Sequence, residues 1–131
     1  MSLSATVGEP IFHPSEPAYV TTEGVVQDFD WGRLTIFTGG SVRKSETTVG
    51  ICLIHPGRHN PLHYHPNCEE TLYVLSGRCA HRYGEGVVTL EPGQTILVPR
   101  FVVHNAAAIG DEPLKLMIIF SSGEREAIFL E

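Results

Sequence analysis

Residues 57–77 read Gly-Arg-His-Asn-Pro-Leu-His-Tyr-His-Pro-Asn-Cys-Glu-Glu-Thr-Leu-Tyr-Val-Leu-Ser-Gly. His63 and His65 lie two positions apart in this stretch, so on a β-strand both imidazoles point to the same face. The Pro66-Asn67 pair then bends the chain and returns a carboxylate at position 69 or 70 towards the histidines. The stretch therefore predicts two imidazoles and one carboxylate close together.

A third histidine, His104, follows the predicted strand Thr95–Val98 and a turn at Pro99. Two imidazoles from one strand, a carboxylate from the next and a distant imidazole form a mixed nitrogen and oxygen ligand set. Such a set suits iron, manganese, nickel, copper or zinc better than magnesium or calcium. We therefore predict one divalent transition metal as the cofactor.

These residues lie in a pattern that resembles the first motif of the cupin superfamily. That motif is a Gly, five residues, His-x-His, three or four residues, Glu, six residues and a second Gly. The chain matches it at Gly57, His63, His65, Glu70 and Gly77. The spacing to the second Gly selects Glu70 rather than its neighbour as the carboxylate ligand.

The second cupin motif is a Gly, five residues, Pro-x-Gly, two residues, His, three residues and Asn. Gly93, Pro99 and His104 stand at the matching positions. The chain departs from the motif twice, with Phe101 in place of the second Gly and Ala108 in place of the Asn. Neither departure removes a ligand, but both alter the turn and the pocket wall beside the third histidine.

The resemblance implies an all-β fold, the double-stranded β-helix or jelly-roll barrel, with His63, His65, Glu70 and His104 as metal ligands. It also implies a metalloenzyme acting on a small organic molecule. Four protein ligands leave two positions on an octahedral ion for substrate or dioxygen. A dioxygenase is the favoured reaction class because such cupin sites often hold iron, with an isomerase or a lyase as alternatives. A non-catalytic module that binds a small ligand or metal, and a dimer-forming cupin with a vestigial site, stay open.

Short runs rich in β-branched, aromatic and aliphatic residues alternate with turn clusters of Gly, Pro and Asn, which is typical of a sandwich or barrel. The predicted strands are Arg33–Thr38, Thr47–Ile54, Thr71–Leu75, Arg78–Tyr83, Val87–Leu90, Thr95–Val98 and Leu114–Phe120. No run keeps a helical period over three turns. Residues 1–32 are expected to form an extended arm, with a short strand or two, on the barrel or a partner subunit, and residues 33–131 the barrel.

Five further residues are predicted to serve the site. His81 and Tyr83 share one face of a predicted strand, and we assign them the movement of protons as catalytic groups. Arg58 and Arg100 flank the site in loops and are predicted to bind a substrate carboxylate. Phe101 is grouped with them as a substrate-binding residue.

Composition narrows the partners and the compartment. The 131 residues fit one domain, and a net charge of −6 with scattered Lys and Arg disfavours nucleic acid and anionic membranes as partners. Met1–Pro10 has no features of a signal peptide, and no apolar run is long enough to span a bilayer. Three cysteines without a C-x-x-C pair favour the cytoplasm. We expect a homodimer with a small-molecule substrate or ligand, since single-domain cupins commonly pair.

Overall fold

The computed structural model describes residues 8–131, and its regular structure consists of β-strands. Along the chain they are β1 (Val25–Phe29), β2 (Gly32–Thr38), β3 (Thr48–Ile54), β4 (His63–Tyr64), β5 (Glu70–Ser76), β6 (Arg78–Tyr83), β7 (Gly86–Leu90), β8 (Thr95–Val98), β9 (His104–Ile109), β10 (Leu114–Phe120) and β11 (Ile128–Phe129). Within residues 8–131, no helix is long and apolar enough to cross a membrane.

The strands form two antiparallel sheets that enclose one core. The larger sheet has the order β1-β2-β3-β10-β5-β8, and the smaller has the order β11-β4-β9-β6-β7. Burial alternates residue by residue along β3, β9 and β10, as expected for strands that present one face to a core. Val74 and Leu116 of the larger sheet meet Cys79 and Ala106 of the smaller sheet in that core. The all-β jelly-roll prediction is confirmed.

All seven predicted strands are present, and their ends differ from the prediction by at most one residue. Alternating apolar residues and flanking turns carried enough information for these strands. β9 was not predicted, because its Asn105-Ala106-Ala107-Ala108 run has weak intrinsic preference for strands. The run forms a strand nevertheless, because it pairs with β6 along six residues and buries alternate side chains.

The first 32 residues divide into two parts within the described range. Val25–Phe29 pairs with β2 and forms the edge of the larger sheet, whereas residues 8–24 contain no strand and are largely exposed. Residues 1–7, which include most of the stretch examined for a signal peptide, lie outside the described residues. The packing of the arm on a partner subunit stays a prediction.

Phe101 occupies a backbone conformation that favours glycine. Its φ is 69°, and it stands where the second motif has Gly. A side chain in this left-handed region costs roughly 1–2 kcal/mol. In return the Phe101 N–H donates a hydrogen bond of 3.0 Å to the carbonyl of His65, which ties the second motif to the first. The Phe101 ring is 66% exposed, with its centroid 6.1 Å from that of Tyr64.

The strain at Phe101 predicts an order of stability between two variants. Both Phe101→Gly and Phe101→Ala remove the ring, but only Gly accepts a positive φ without steric cost. We expect the Gly variant to be more stable than the Ala variant by about 1 kcal/mol in urea unfolding. An Ala variant as stable as the Gly variant would contradict the strained backbone.

Candidate metal centre

The short strand β4 brings two of the three histidines together. His63 of β4 is the direct antiparallel partner of His104, the first residue of β9, and their ring centroids are 4.3 Å apart. On the other side of β4, Phe129 of β11 pairs with His63, and their ring centroids are 5.5 Å apart. The site therefore depends on a three-strand contact at one end of the smaller sheet.

A different backbone carbonyl, from another residue, orients each of the three histidines. The Nδ1 atoms of His63, His65 and His104 donate to the carbonyls of Pro61 at 2.7 Å, Glu126 at 2.8 Å and Val102 at 2.9 Å. A proton on Nδ1 leaves the lone pair of a neutral imidazole on Nε2. This arrangement is typical of metal-binding histidines, whose second nitrogen is held by a carbonyl or carboxylate.

Glu70, the first residue of β5, supplies the carboxylate. Its Oε1 lies 3.2 Å from Nε2 of His65 and 2.8 Å from Nε2 of His104, and the residue is 5% exposed. Burial would raise the pKa of Glu70, but the Nε2 atoms of His104 and His65 donate to its Oε1 when they carry a proton, and these contacts outweigh burial and hold the pKa below its usual value. The carboxylate is therefore charged inside the barrel.

The four donors fit a divalent transition metal. One ligand atom each from His63, His65, Glu70 and His104 lies within 4.8 Å of the other three, and all four residues are buried. Burial and, to a smaller extent, the neighbouring His104 lower the pKa of His63 to about 4, which favours the neutral form that coordinates a metal. Burial also disfavours a charge on His104, but the hydrogen bond to Glu70, the charge of that carboxylate and the contact with the Val102 carbonyl together raise its pKa.

A cavity of about 120 Å³ opens directly onto three of these donors, His63, His65 and Glu70. Its remaining walls are mainly apolar and come from β1, β2, β10 and the C-terminal segment. The donors therefore form one polar patch in an apolar chamber, the usual composition of a small-molecule site.

The two predicted catalytic residues lie beside this centre without lining the cavity. His81 is fully buried on β6, and its ring stacks on His104 with centroids 5.7 Å apart. Neither ring nitrogen of His81 has a hydrogen-bond partner among the described residues, and burial lowers its pKa to about 4. Tyr83, at the end of β6 opposite His104, is 37% exposed. Their catalytic roles stay predictions.

The three predicted substrate-binding residues also lie outside the cavity. Arg58, Arg100 and Phe101 are exposed in the loops beside the site, as their positions in the sequence indicated. Ala108, the second departure from the motifs, is buried on β9, and its backbone pairs with Gly57 and Arg58 through hydrogen bonds of 3.1 and 3.0 Å. Its small side chain lies in the core and does not line the cavity, at the position where the motif has an amide. Substrate binding by the three loop residues stays a prediction.

Two polar residues of the cavity wall escaped the sequence analysis. Asn60 lies three positions before His63, so the quoted stretch contained a signal for it; its Oδ1 accepts a hydrogen bond of 2.8 Å from the Ala106 N–H. Arg125 also lines the cavity. It follows the last predicted strand and belongs to no recognisable motif, so no pattern in the sequence indicated it.

Comparison with known families agrees with the fold and the donor set. The model of the cupin domain family matches residues 50–120, more than half of the chain, and this span includes both motifs. The chain belongs to the cupin family, and its three histidines and one glutamate form the donor set of a metal-binding cupin.

Individual relatives are similar over parts of their length. The Streptomyces cyaneus protein named polyketide synthase CurC is 28% identical over 87 residues, which are 66% of this chain and 56% of that protein. The oxalate decarboxylase of Lactobacillus farciminis, solved as a formate complex, has a TM-score of 0.75 at 24% identity and covers 82% of this chain and 33% of its own. A structure of Bacillus subtilis oxalate decarboxylase, solved in work on its Mn(II) centres, has a TM-score of 0.73 at 24% identity, with 83% and 30% covered.

The chain thus spans just over half of CurC and no more than a third of these two decarboxylases. At this level of identity, the structural likeness shows the shared double-stranded β-helix.

Adjacent glutamates allow a matched test of the donor set. Glu70→Gln keeps the shape of the side chain but removes the charge that faces the histidines, so metal affinity is expected to fall at least about a hundredfold. Glu69→Gln alters an exposed neighbour and should leave the affinity unchanged. Metal content after dialysis against a weak chelator, measured by elemental analysis, compares the two. Equal losses in both variants would contradict the assignment of Glu70.

The unpartnered ring of His81 predicts a stabilising substitution. His81→Leu replaces two buried nitrogens without partners by an apolar group of similar volume, so the free energy of unfolding should rise by about 1 kcal/mol. Urea unfolding of the metal-free protein measures the change. A loss of stability would instead show that the ring nitrogens have a polar partner, such as buried water.

Proposed function

We propose that this cupin is a metal-dependent enzyme that acts on a small, oxygen-bearing organic molecule. His63, His65, Glu70 and His104 would hold the metal, and the substrate would bind in the adjoining cavity. One observation carries the proposal: three of the four buried donors form part of the cavity wall. A purely structural metal site is enclosed by its ligands, whereas a catalytic site keeps a position open.

The chain's own residues prepare this site for chemistry. When bound, the metal supplies Lewis acidity, and iron or manganese also supplies redox chemistry. The Nδ1 hydrogen bonds to three carbonyls hold the imidazoles in one orientation, which lowers the cost of reaching a reactive geometry. The apolar walls limit water and strengthen electrostatic interactions with a bound substrate. Asn60 leaves its amide NH₂ free to donate within the cavity, because its Oδ1 is engaged by Ala106.

The relatives support an oxygen-bearing substrate and a redox-active metal. One is named a polyketide synthase, and two are oxalate decarboxylases, of which one was studied for its Mn(II) centres. We therefore place iron and manganese first among the candidate metals. Dioxygenase chemistry is the first reaction class to test, and isomerase and lyase reactions follow.

One observation favours a second candidate, a cupin that captures a small ligand without converting it. The predicted acid-base residues His81 and Tyr83 do not line the cavity. Apart from the three donors that line it, the titratable groups on its described walls are Cys52 and Arg125. Burial raises the pKa of the Cys52 thiol to about 12, so neither group exchanges protons readily at neutral pH. The lack of an acid-base residue in the described cavity wall favours either a reaction carried out by the metal alone or binding without a reaction.

We further propose that the protein works as a cytoplasmic homodimer. Cys52, Cys68 and Cys79 are free thiols in the described structure, which agrees with a reducing compartment. Val25 and Val26 of the edge strand β1 are exposed, and such apolar edges are commonly covered by a second subunit.

Turnover distinguishes the enzyme from the binding module. The metal-free protein is loaded with Fe(II), Mn(II), Ni(II), Cu(II) or Zn(II), and oxygen uptake and products are followed with catechols, enols and thiols. We expect turnover with at least one metal, and a fall in kcat/KM of at least about a hundredfold in His104→Ala. His59→Ala is the matched control, because His59 is an exposed histidine four residues from His63.

Circular dichroism confirms that both variants fold. Retained turnover in His104→Ala would remove the metal from the mechanism. Saturable binding of these molecules without product under every metal would leave the binding module as the function.

A further inference from the structure

The cavity walls favour a ligand with an apolar body. The apolar lining comes mainly from the larger sheet and includes Phe29, Trp31, Leu34, Leu116, Ile118 and Phe120. Its volume of about 120 Å³ approaches the roughly 150 Å³ of an apolar pocket that holds benzene. The chamber therefore accepts about one ring or a branched chain of similar size.

Arg125 places a positive charge at the mouth of this chamber. Its guanidinium carbon lies 4.8 Å from the centroid of the Phe120 ring, and that ring packs edge-on against His65 with centroids 5.0 Å apart. One aromatic ring thus separates the guanidinium from a metal donor. Arg125 also borders a surface depression beside Gly39 and Val42, so it stands between the chamber and solvent.

Arg125 lines the chamber, and its charge has no carboxylate partner among residues 8–131. It acts on the Cys52 thiol in the cavity wall, where it opposes the rise in pKa that burial causes. No carboxylate of residues 8–131 forms a salt bridge with Arg125, whereas Arg43 and Arg78 pair with Glu16 and Glu91. A half-buried guanidinium without a carboxylate partner is well suited to a bidentate contact with an anion.

The charge balance of the chamber also favours an anion. Glu70 carries one negative charge. A divalent metal ion held by this carboxylate and by neutral imidazoles therefore leaves a net charge of one positive unit. Arg125 adds a second positive charge in the wall of the same apolar space. An anionic ligand offsets this surplus, and a neutral ligand leaves it uncompensated in a medium of low dielectric.

We infer that the cavity takes an organic acid with an apolar body of about one ring, and that Arg125 binds its acidic group while another oxygen faces the metal donors. The metal contact rests on the proposed function, whereas the contact with Arg125 needs no metal. A compact dianion such as oxalate has no apolar body to contact the apolar walls. The apolar lining therefore distinguishes this cavity from a site for a minimal diacid.

Trp31 is the chain's single tryptophan and lines the cavity, so its fluorescence reports occupancy. The full chain is titrated with cyclohexanecarboxylate, cyclohexylmethanol and oxalate, once loaded with metal and once after metal removal. The first two probes share a ring and differ in charge, and the third carries charge without a ring. We expect saturable binding of the carboxylate, and binding at least about tenfold weaker for the alcohol and for oxalate in the metal-free protein.

Two arginines allow a matched comparison. Arg125→Gln removes the proposed anion contact and is expected to weaken carboxylate binding about tenfold, with little effect on the alcohol. Arg43→Gln is the control, because Arg43 also lies over an aromatic ring, 4.6 Å from the centroid of Tyr19, but away from the cavity. Ala127→Leu narrows the chamber and should weaken both ring-bearing probes.

Each contrary result overturns the inference. One such result is that Arg125→Gln leaves carboxylate binding unchanged, and another is that the alcohol binds as tightly as the carboxylate. The others are that oxalate binds the metal-free protein more tightly than the carboxylate does, and that the carboxylate causes no saturable change in fluorescence. Elemental analysis of the loaded protein tests the proposed function separately. A chain that binds the carboxylate but takes up no metal overturns the metal proposal and leaves the contact with Arg125 standing.

Discussion

The buried carboxylate of Glu70 constrains the groups around it. A charge inside an apolar barrel costs several kcal/mol unless it is paired and hydrogen-bonded. His65 and His104 supply that pairing, and each is held in turn by a carbonyl, from Glu126 and Val102 respectively. Three distant segments of the chain must therefore be in place before the carboxylate is compensated. The metal centre is a product of tertiary structure, although its ligands are read from short motifs.

The structure brings together the four residues that the motif spacing selected, because the spacing specifies which residues share a strand face and which follow a turn. The sequence also predicted most strands, since alternation and turn chemistry act locally. Its parity rule placed His81 inside the barrel, and His81 is fully buried. The same rule could not place Tyr83, because parity gives the face of a strand and not the depth along the barrel; at the strand end the side chain reaches solvent.

Long-range contacts explain what the sequence did not indicate. The carbonyl of Glu126 orients His65 across 61 positions of sequence, and β11 pairs with β4 over a similar separation. No local propensity encodes such a return of the chain. Arg125 lies in this returning segment, and its place in the cavity wall follows from tertiary pairing rather than from a motif. Phe101 is a different case. The sequence identified it as a departure from the motif, but only the structure shows that its backbone keeps the positive φ that favours glycine.

The returning segment links the cavity to the metal donors. Glu126 holds the Nδ1 of His65, its neighbour Arg125 lies over Phe120, and Phe129 packs against His63. A ligand that binds Arg125 would therefore contact the residue adjacent to the anchor of a metal-binding histidine. Since each imidazole is oriented by a single carbonyl, a small shift of this segment changes the direction of a donor lone pair. Substrate recognition and metal geometry thus share one structural element, the segment 125–129.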